Sequence, residues 1–249
     1  MQRYFLDNRP QSDRFELPDD VAHHFVTVLR AKEDDMAEFV LPDRKTIMVA
    51  KVVNVTDKNA IMQVLESYQP QVELPVETTL IIGLSKGDKP DLVVQKATEL
   101  GVSHLIFVET AWSVAHWGNK SDKKLARLQK IAKGASEQSH RLKIPMLSYA
   151  ESLDALSLPE AAIKVVAWEE SAKQGEKSAL AHVFSELTPG DHFVGLIGPE
   201  GGLKATELTH LEQLGFTPVG LGPRILRAET APLYLLSALS FALELNELV

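Results

Sequence analysis

Glu200, Arg227 and Glu229 are the residues of this 249-residue chain whose types and settings best suit chemistry at a ligand. Glu200 lies in LIGPEGG, where an apolar run ending in Leu196 and Ile197 meets Gly198, Pro199, Glu200, Gly201 and Gly202, and the helix-like KATELTHLEQLG follows. Arg227 and Glu229 lie in VGLGPRILRAETA, where a second apolar run ends in Gly220 and Gly222 and a helix begins near Thr230, with Pro232 in its first turn. Neither turn carries the GxxxxGKS or GxxxxGKT of a phosphate loop or the GxGxxG of a dinucleotide fold. Their glycines still let backbone amides and carbonyls approach a ligand directly. A carboxylate at the centre of the first turn repels an anion, so hydroxyls, amino groups or a cation suit it better than a phosphate. The bland readings are a tight turn with an exposed acid and, for Arg227 and Glu229, a local ion pair of little consequence if exposed.

A third constellation is basic. Lys86, Lys89 and Lys96 of KGDKPDLVVQKATELG and Arg141 of SEQSHR have the charge to meet phosphates. Lys120 to Lys143 holds eight basic residues against Asp122 and Glu137, inside a chain whose net charge is −8. A solvated charged surface is the competing reading, and phosphate contact needs such a local excess because the chain as a whole is acidic.

The elements that must position these residues fall into two sets. Before about residue 72, AEFVL, IMVAKVVNV and AIMQVLES alternate like strands, separated by PDRK and TDKN turns, and PDDVAHHFVTVLRAKEDD reads as a short helix from Asp19 or Asp20. A Pro-containing linker, YQPQVELPVE, follows, which places a small β-rich domain at 1–72 and a second domain at 73–249. From Thr78 strands and helices alternate, the signature of a parallel α/β sheet. TLIIGLS, SHLIFVET, IKVVAWEE, HFVGLIG and TPVGLG are its strands. DKPDLVVQKATELG is a helix with Asp88 at its start, and SDKKLARLQKIAKGASEQSHR is another that turns Leu125, Leu128, Ala132 and Ala135 to one face and Lys123, Arg127 and Lys130 to the other. Two glycine turns at the ends of neighbouring strands would wall a crevice at the carboxyl edge of such a sheet, where ligands bind in open α/β proteins. The last helix, TAPLYLLSALSFALELNEL, is apolar nearly all round, which fits either a subunit interface or a central helix of one domain.

Composition removes several classes. The chain has no cysteine, hence no disulfide framework, zinc ribbon or thiolate nucleophile. Its eight histidines have no HExxH-type spacing, and no metal site is expected. No apolar run reaches the ~20 residues of a membrane span, and the N-terminal stretch lacks the apolar core of a secretory signal, so a cytoplasmic protein with no membrane contact is expected.

Taken together, RYFL, HHFVTVLR, KGDKPDLVVQKATELGV, IAKGASEQSHR, LIGPEGG and LGPRILRAETA resemble, in this order and across nearly the whole chain, the RsmE family of 16S ribosomal RNA uridine-N3 methyltransferases in the SPOUT superfamily. The resemblance implies a PUA-like β-barrel joined to an α/β SPOUT domain with a trefoil knot, S-adenosylmethionine as methyl donor, a homodimer, and 16S RNA or the 30S subunit as partner. It implies a cofactor held mostly by backbone between Gly198–Gly202 and Leu221–Ala231. Leu196, Ile197, Leu221, Ile225 and Leu226 supply apolar and backbone surface, and Pro199, Gly222, Arg227 and Ala231 lie in the same turns. Arg227 is the expected stabiliser of the uracil anion and Glu229 or Glu200 the expected proton acceptor. Arg3, Arg9, Arg30, Lys86, Lys89 and Arg141 are expected to contact RNA, with the Lys120–Arg141 cluster as a broader phosphate surface. The chain departs from the family's pattern in three places. Ala111, Trp112 and Ser113 stand where an Arg-Ser pair is expected, Arg44 follows Asp43 where glycine is common, and Ala228 replaces a threonine. A methyltransferase with another RNA target and a decayed RNA-binding assembly factor are the rival readings.

Overall fold

The computed structural model describes residues 1–169 and 179–245. The chain divides into two compact units, one of Met1–Glu73 with Ser136–Lys143, the other of Leu74–Ala135 with Ile144–Val249.

The first unit is a five-stranded sheet of β1 (Gln2–Phe5), β2 (Arg14–Glu16), β3 (Met36–Val40), β4 (Ile47–Val55) and β5 (Ala60–Tyr68), ordered β1-β3-β4-β5-β2. All its pairs are antiparallel except β1 with β3. Register shifts between Val49 and Ala50 and between Val52 and Asn54 break the β4–β5 ladder, as bulges do where a sheet must bend. The three long strands fall where alternation puts them. The short β1 and β2 escape it, because three or four residues hold too few alternations to register. The expected helix is α-helical only over α1 (Asp19–Ala22) and continues as a π-helical turn, His23–Val28. That turn brings Phe25 into an aromatic cluster with Tyr4, Phe39 and Phe15. At the Asp43–Arg44 turn, Arg44 takes φ 54°, a conformation glycine adopts without penalty. Asp43 accepts hydrogen bonds from the Lys45 and Thr46 amides at 2.9 and 2.8 Å, and the Arg44 guanidinium lies 5.2 Å over the Phe5 ring, which offsets the strain.

The second unit is a six-stranded, all-parallel sheet of β6 (Glu77–Gly83), β7 (His104–Val108), β8 (Met146–Ala150), β9 (Ile163–Ala167), β10 (His192–Ile197) and β11 (Phe216–Val219), ordered β11-β9-β10-β6-β7-β8. Among the described residues, the helices that accompany it are α2 (Lys89–Glu99), α3 (Ser121–Gln138), α4 (Ala179–Glu186), α5 (Ala205–Gln213) and α6 (Ala231–Ser240), the last running into a π turn at Phe241–Leu245. Period-two alternation sorts each strand between two cores. Leu80, Ile82, Phe193 and Ile197 face one, with α2, α3 and α6; Ile81, Val194 and Leu196 face the other, with Leu211 of α5. On α3, Leu128, Ala132 and Ala135 are buried while Lys123, Arg127 and Lys130 are exposed, as the helical spacing predicts. MLSYA of β8 has too mixed a polarity to stand out and was not legible as a strand.

Strand order decides where a ligand can sit. From β6 the chain moves outward through β7 and β8, whereas β9, β10 and β11 lie on the other side of β6. The order therefore reverses between β6 and β10, the position at which open α/β sheets bind ligands. β9 lies between β10 and β11, so the two glycine turns do not end neighbouring strands as expected. The C-terminal helix settles between its two readings by face. Leu235, Leu236 and Leu239 are fully buried against the unit's own core, whereas Tyr234, Phe241 and Leu245 are exposed. Asn246–Val249, the end of that apolar pattern, lie outside the described residues, as does Glu170 at the end of the IKVVAWEE run.

Candidate active site

The first glycine turn leaves β10, which pairs with β6 so that Ile197 lies beside Ile82. The next positions are Gly198 and Gly83, and they are packed to the limit: a Cβ on Gly83 would stand 2.4 Å from both Cδ and N of Pro199. Only glycine ends β6 here, since Pro199 enters the space a side chain needs. Gly202 takes φ +76° and Gly222, in the second turn, φ +84°, both in the left-handed region.

Glu200 and Glu229 come from different turns and meet on one cation, Lys89 at the start of α2. The Lys89 Nζ lies 2.9 Å from Glu200 Oε1 and 3.1 Å from Glu229 Oε2. The ammonium thus pairs with both carboxylates, and the Glu229 Oε2 that it approaches is buried. Burial pushes the Glu200 carboxyl up, but the hydrogen bond and charge of Lys89 and the Lys86 backbone outweigh it and hold the group below the usual carboxylate range. Glu229 is lowered chiefly by its own backbone amide, against some burial, with Lys89 and Arg227 adding to the effect. Lys89 is raised in turn, first by its bond to Glu200. At neutral pH the clasp holds two carboxylates and one ammonium, a net negative charge.

This corrects the expectation for Lys89: its ammonium is committed to the two turns rather than left for an RNA phosphate. Arg3 and Arg141 are corrected too. Each is only 3% exposed. Arg3 pairs with Glu38 at 2.8 Å and donates to the His140 carbonyl, and Glu73 takes Arg141 together with the Leu142 and Lys143 amides. A buried guanidinium needs a carboxylate partner, so both arginines tie the Ser136–Lys143 segment into the first unit instead of facing solvent. Arg9, Arg30 and Lys86 are exposed. Leu196 is hydrogen-bonded into the sheet beside both Ile81 and Val166 with its side chain in the core, so it supports the turn from below. Ile197 is buried in the opposite core. Leu221 and Leu226 are half-buried against that core, Ala231 is buried and Ile225 is 75% exposed. The Arg227 side chain is exposed, and its carbonyl accepts the Thr230 and Ala231 amides that open α6.

Three residues near these turns and the cleft beside α3 lie outside the expected site set. Glu207, at the third position of α5, accepts from the Lys204 amide and, with its other oxygen, from the Ala111 amide, both at 2.8 Å. It thereby staples the loop after β7 to the end of the GPEGG turn; its capping-box spacing from Lys204 was the available signal. Trp112 in that loop is 46% exposed and sits against Gly201. Glu109 accepts from Tyr149 Oη at 2.5 Å, the Trp117 amide at 3.0 Å and His116 Nδ1 at 2.7 Å. Burial raises its carboxyl, but those three donors bring it below the ordinary range. Beside it a cleft of about 210 Å³ is lined by Lys86, Gly87, His116, Lys124 and Arg127 among others. A larger groove of about 470 Å³ runs along α3 past Lys120, Lys123, Lys124, Arg127 and Lys130. Arg127 is partly neutralised there by Asp91. Among the described residues no group of His, Asp and Glu is arranged to hold a metal ion, and no helix is long and apolar enough to cross a membrane.

The residues present suit a cationic nucleoside better than a phosphorylated one. The clasp is acidic, and a Cβ on Gly202 would meet open space. Residues 72–240 match the family model described as the RNA methyltransferase domain, which fixes the class. The ribosomal RNA small subunit methyltransferase E of Bacillus subtilis (strain 168) is 38% identical to the chain over 98% of both sequences. That of Synechocystis sp. (strain ATCC 27184 / PCC 6803 / Kazusa) is 31% identical over 89% of this chain and 71% of its own length. The crystal structure of a ribosomal RNA small subunit methyltransferase E from Neisseria gonorrhoeae bound to S-adenosyl methionine has a TM-score of 0.82 at 29% identity, covering 96% of this chain and 97% of that one. The chain belongs to the ribosomal RNA small subunit methyltransferase E family.

Proposed function

We propose that the protein methylates N3 of one uridine in 16S ribosomal RNA, with S-adenosylmethionine as donor. The observation that carries this reading is the clasp itself: the glycine turn at the strand-order reversal and the turn after β11, joined through Lys89 by Glu200 and Glu229. When bound, S-adenosylmethionine supplies a methyl group on a sulfonium centre open to in-line attack by a nitrogen lone pair. Backbone groups of Gly198–Gly202 and Leu221–Ala231 hold the nucleoside, and the net negative clasp favours its cationic end. Lys89 keeps the two carboxylates from repelling one another. Arg227, exposed beside the clasp, stabilises the negative charge that develops on the uracil as N3 loses its proton. Glu229 accepts that proton and passes it to water. Its lowered pKa makes it a weak base, so placement of the two reactants contributes most of the rate.

RNA docking rests on Arg9 and Arg30 of the first unit and on Lys86 and the α3 groove of the second. The five-stranded unit is read as a PUA-like barrel, the α/β unit as a knotted SPOUT domain, and the active form as a homodimer using the exposed Tyr234, Phe241 and Leu245. The apolar outer face of α6 supports the last point. The decisive experiment is mass-spectrometric mapping of methylated uridines in 16S RNA from a strain lacking this gene. One N3-methyluridine should vanish and return on complementation. An unchanged pattern would sink the reading, and loss of a modification in another RNA would transfer it to that RNA.

A further inference from the structure

We propose that Trp112 is a stacking platform for an RNA base next to the methylated one, an RNA contact made by an aromatic ring rather than a charge. The inference rests on the RNA methyltransferase reading above. The loop that carries Trp112 is closed on itself and fastened at both sides. The Thr110 amide donates to Ser113 Oγ at 3.0 Å, the Ser113 amide returns to the Thr110 carbonyl at 3.0 Å, and the Ala111 amide is held by Glu207. Trp112 is seated on the cofactor turn: a Cβ on Gly201 would stand 3.0 Å from Trp112 Cβ and 3.4 Å from its carbonyl oxygen. Yet the side chain is 46% exposed, unlike Trp117, which is buried between Phe107 and Tyr149. A rigid backbone presenting a large, half-exposed indole beside the turn that flanks the reaction is preorganised for a planar partner. An unstacked base offers such a face whatever its sequence.

The test uses the full-length protein, a single-stranded ribosomal RNA fragment containing the target uridine, and S-adenosylmethionine. Trp112→Ala should lower kcat/KM for the RNA by roughly 5- to 150-fold, the equivalent of the ~1–3 kcal/mol contributed by a base stacked on an aromatic ring. Trp112→Phe should keep most of the activity, and the cofactor Kd should be unchanged in both. Trp112→Arg discriminates stacking from charge: it should bind RNA with a steeper salt dependence than wild type, whereas Trp112→Ala should keep the wild-type slope. Wild-type kinetics in Trp112→Ala, or a weakened cofactor Kd with unchanged RNA affinity, would overturn the inference while leaving the methyltransferase reading intact. Absence of methylation by the wild-type protein on any small-subunit RNA would overturn both.

Discussion

Lys89 shows how much of an active site is a matter of which carboxylate a cation finds. Its ammonium lies between two acids that belong to separate turns, and the three groups hold each other ionised. The depressed Glu200 and Glu229 carboxyls contribute stability above their unfolded value of about 4.3, lost as pH falls through their lower folded values. The raised Lys89 contributes below its unfolded value of about 10.4 and loses that contribution only as pH rises through its folded value. The clasp is therefore constant from about pH 5 to 9. The clasp's share of cofactor affinity, taken as the wild-type minus Lys89→Ala difference in a pH titration, should be flat across that window and weaken only as pH falls through the lowered carboxylate values. A break near neutrality in that difference would mean another group of the protein controls the site. Lys89→Ala should cost under about 1 kcal/mol of fold stability, because all three side chains are partly solvated, while releasing the two carboxylates to repel one another and weakening cofactor binding measured by calorimetry. Arg227→Ala should lower kcat by about 100- to 1,000-fold with cofactor Kd unchanged, the behaviour of a group that stabilises developing charge. Loss of cofactor binding instead would make Arg227 a structural residue.

Strands and turns impose a different kind of constraint, one of close packing. The contact between Gly83 and Pro199 leaves no room for a methyl group, so Gly83→Ala must push the GPEGG turn away from β6. The expected cost is about 1–3 kcal/mol of stability by overpacking, with cofactor affinity lost beyond what the change in melting temperature explains. Gly195→Ala meets the Leu235 methyl at 2.5 Å on the buried face of α6 and offers a control. It should destabilise to a similar degree while leaving cofactor affinity nearly intact once the protein is folded. Both are read by thermal melts with and without cofactor. At this level the sequence was largely transparent. Alternation located the three long strands of the first unit, and the α/β rhythm located most of the second. The short β1 and β2, the polar β8 and the π turn after α1 were opaque, since the pairing partners that stabilise them lie elsewhere in the chain.

Across the entire molecule the governing term is charge. A net charge of −8 repels nucleic acid at long range, so binding must come from local basic surfaces with steep salt dependence. With five basic residues along the α3 groove, affinity for ribosomal RNA should fall by orders of magnitude between low and physiological salt. Reversing Lys123 and Lys130 to Glu should weaken binding to all RNA sequences alike and flatten the slope. A salt-independent affinity in filter-binding assays would remove the electrostatic account. The same scale explains why charge counting along the sequence overstated the RNA surface. Arg3, Lys89 and Arg141 belong to basic-looking stretches, but each has a carboxylate partner distant in sequence: Glu38, the Glu200–Glu229 pair and Glu73.

The glycine turns, the acidic residue set in the first of them, the absence of cysteine and the parallel α/β rhythm are local or compositional properties, and they point to a ligand approached by backbone groups and away from a phosphate, while the RNA methyltransferase reading comes from the resemblance of the ordered motifs to a known family. Ion pairing, the seating of Trp112 on Gly201 and the split of α6 into a buried and an exposed face were decided only by the folded chain. Each depends on the distance between groups far apart in sequence, and no spacing along a single segment encodes that distance.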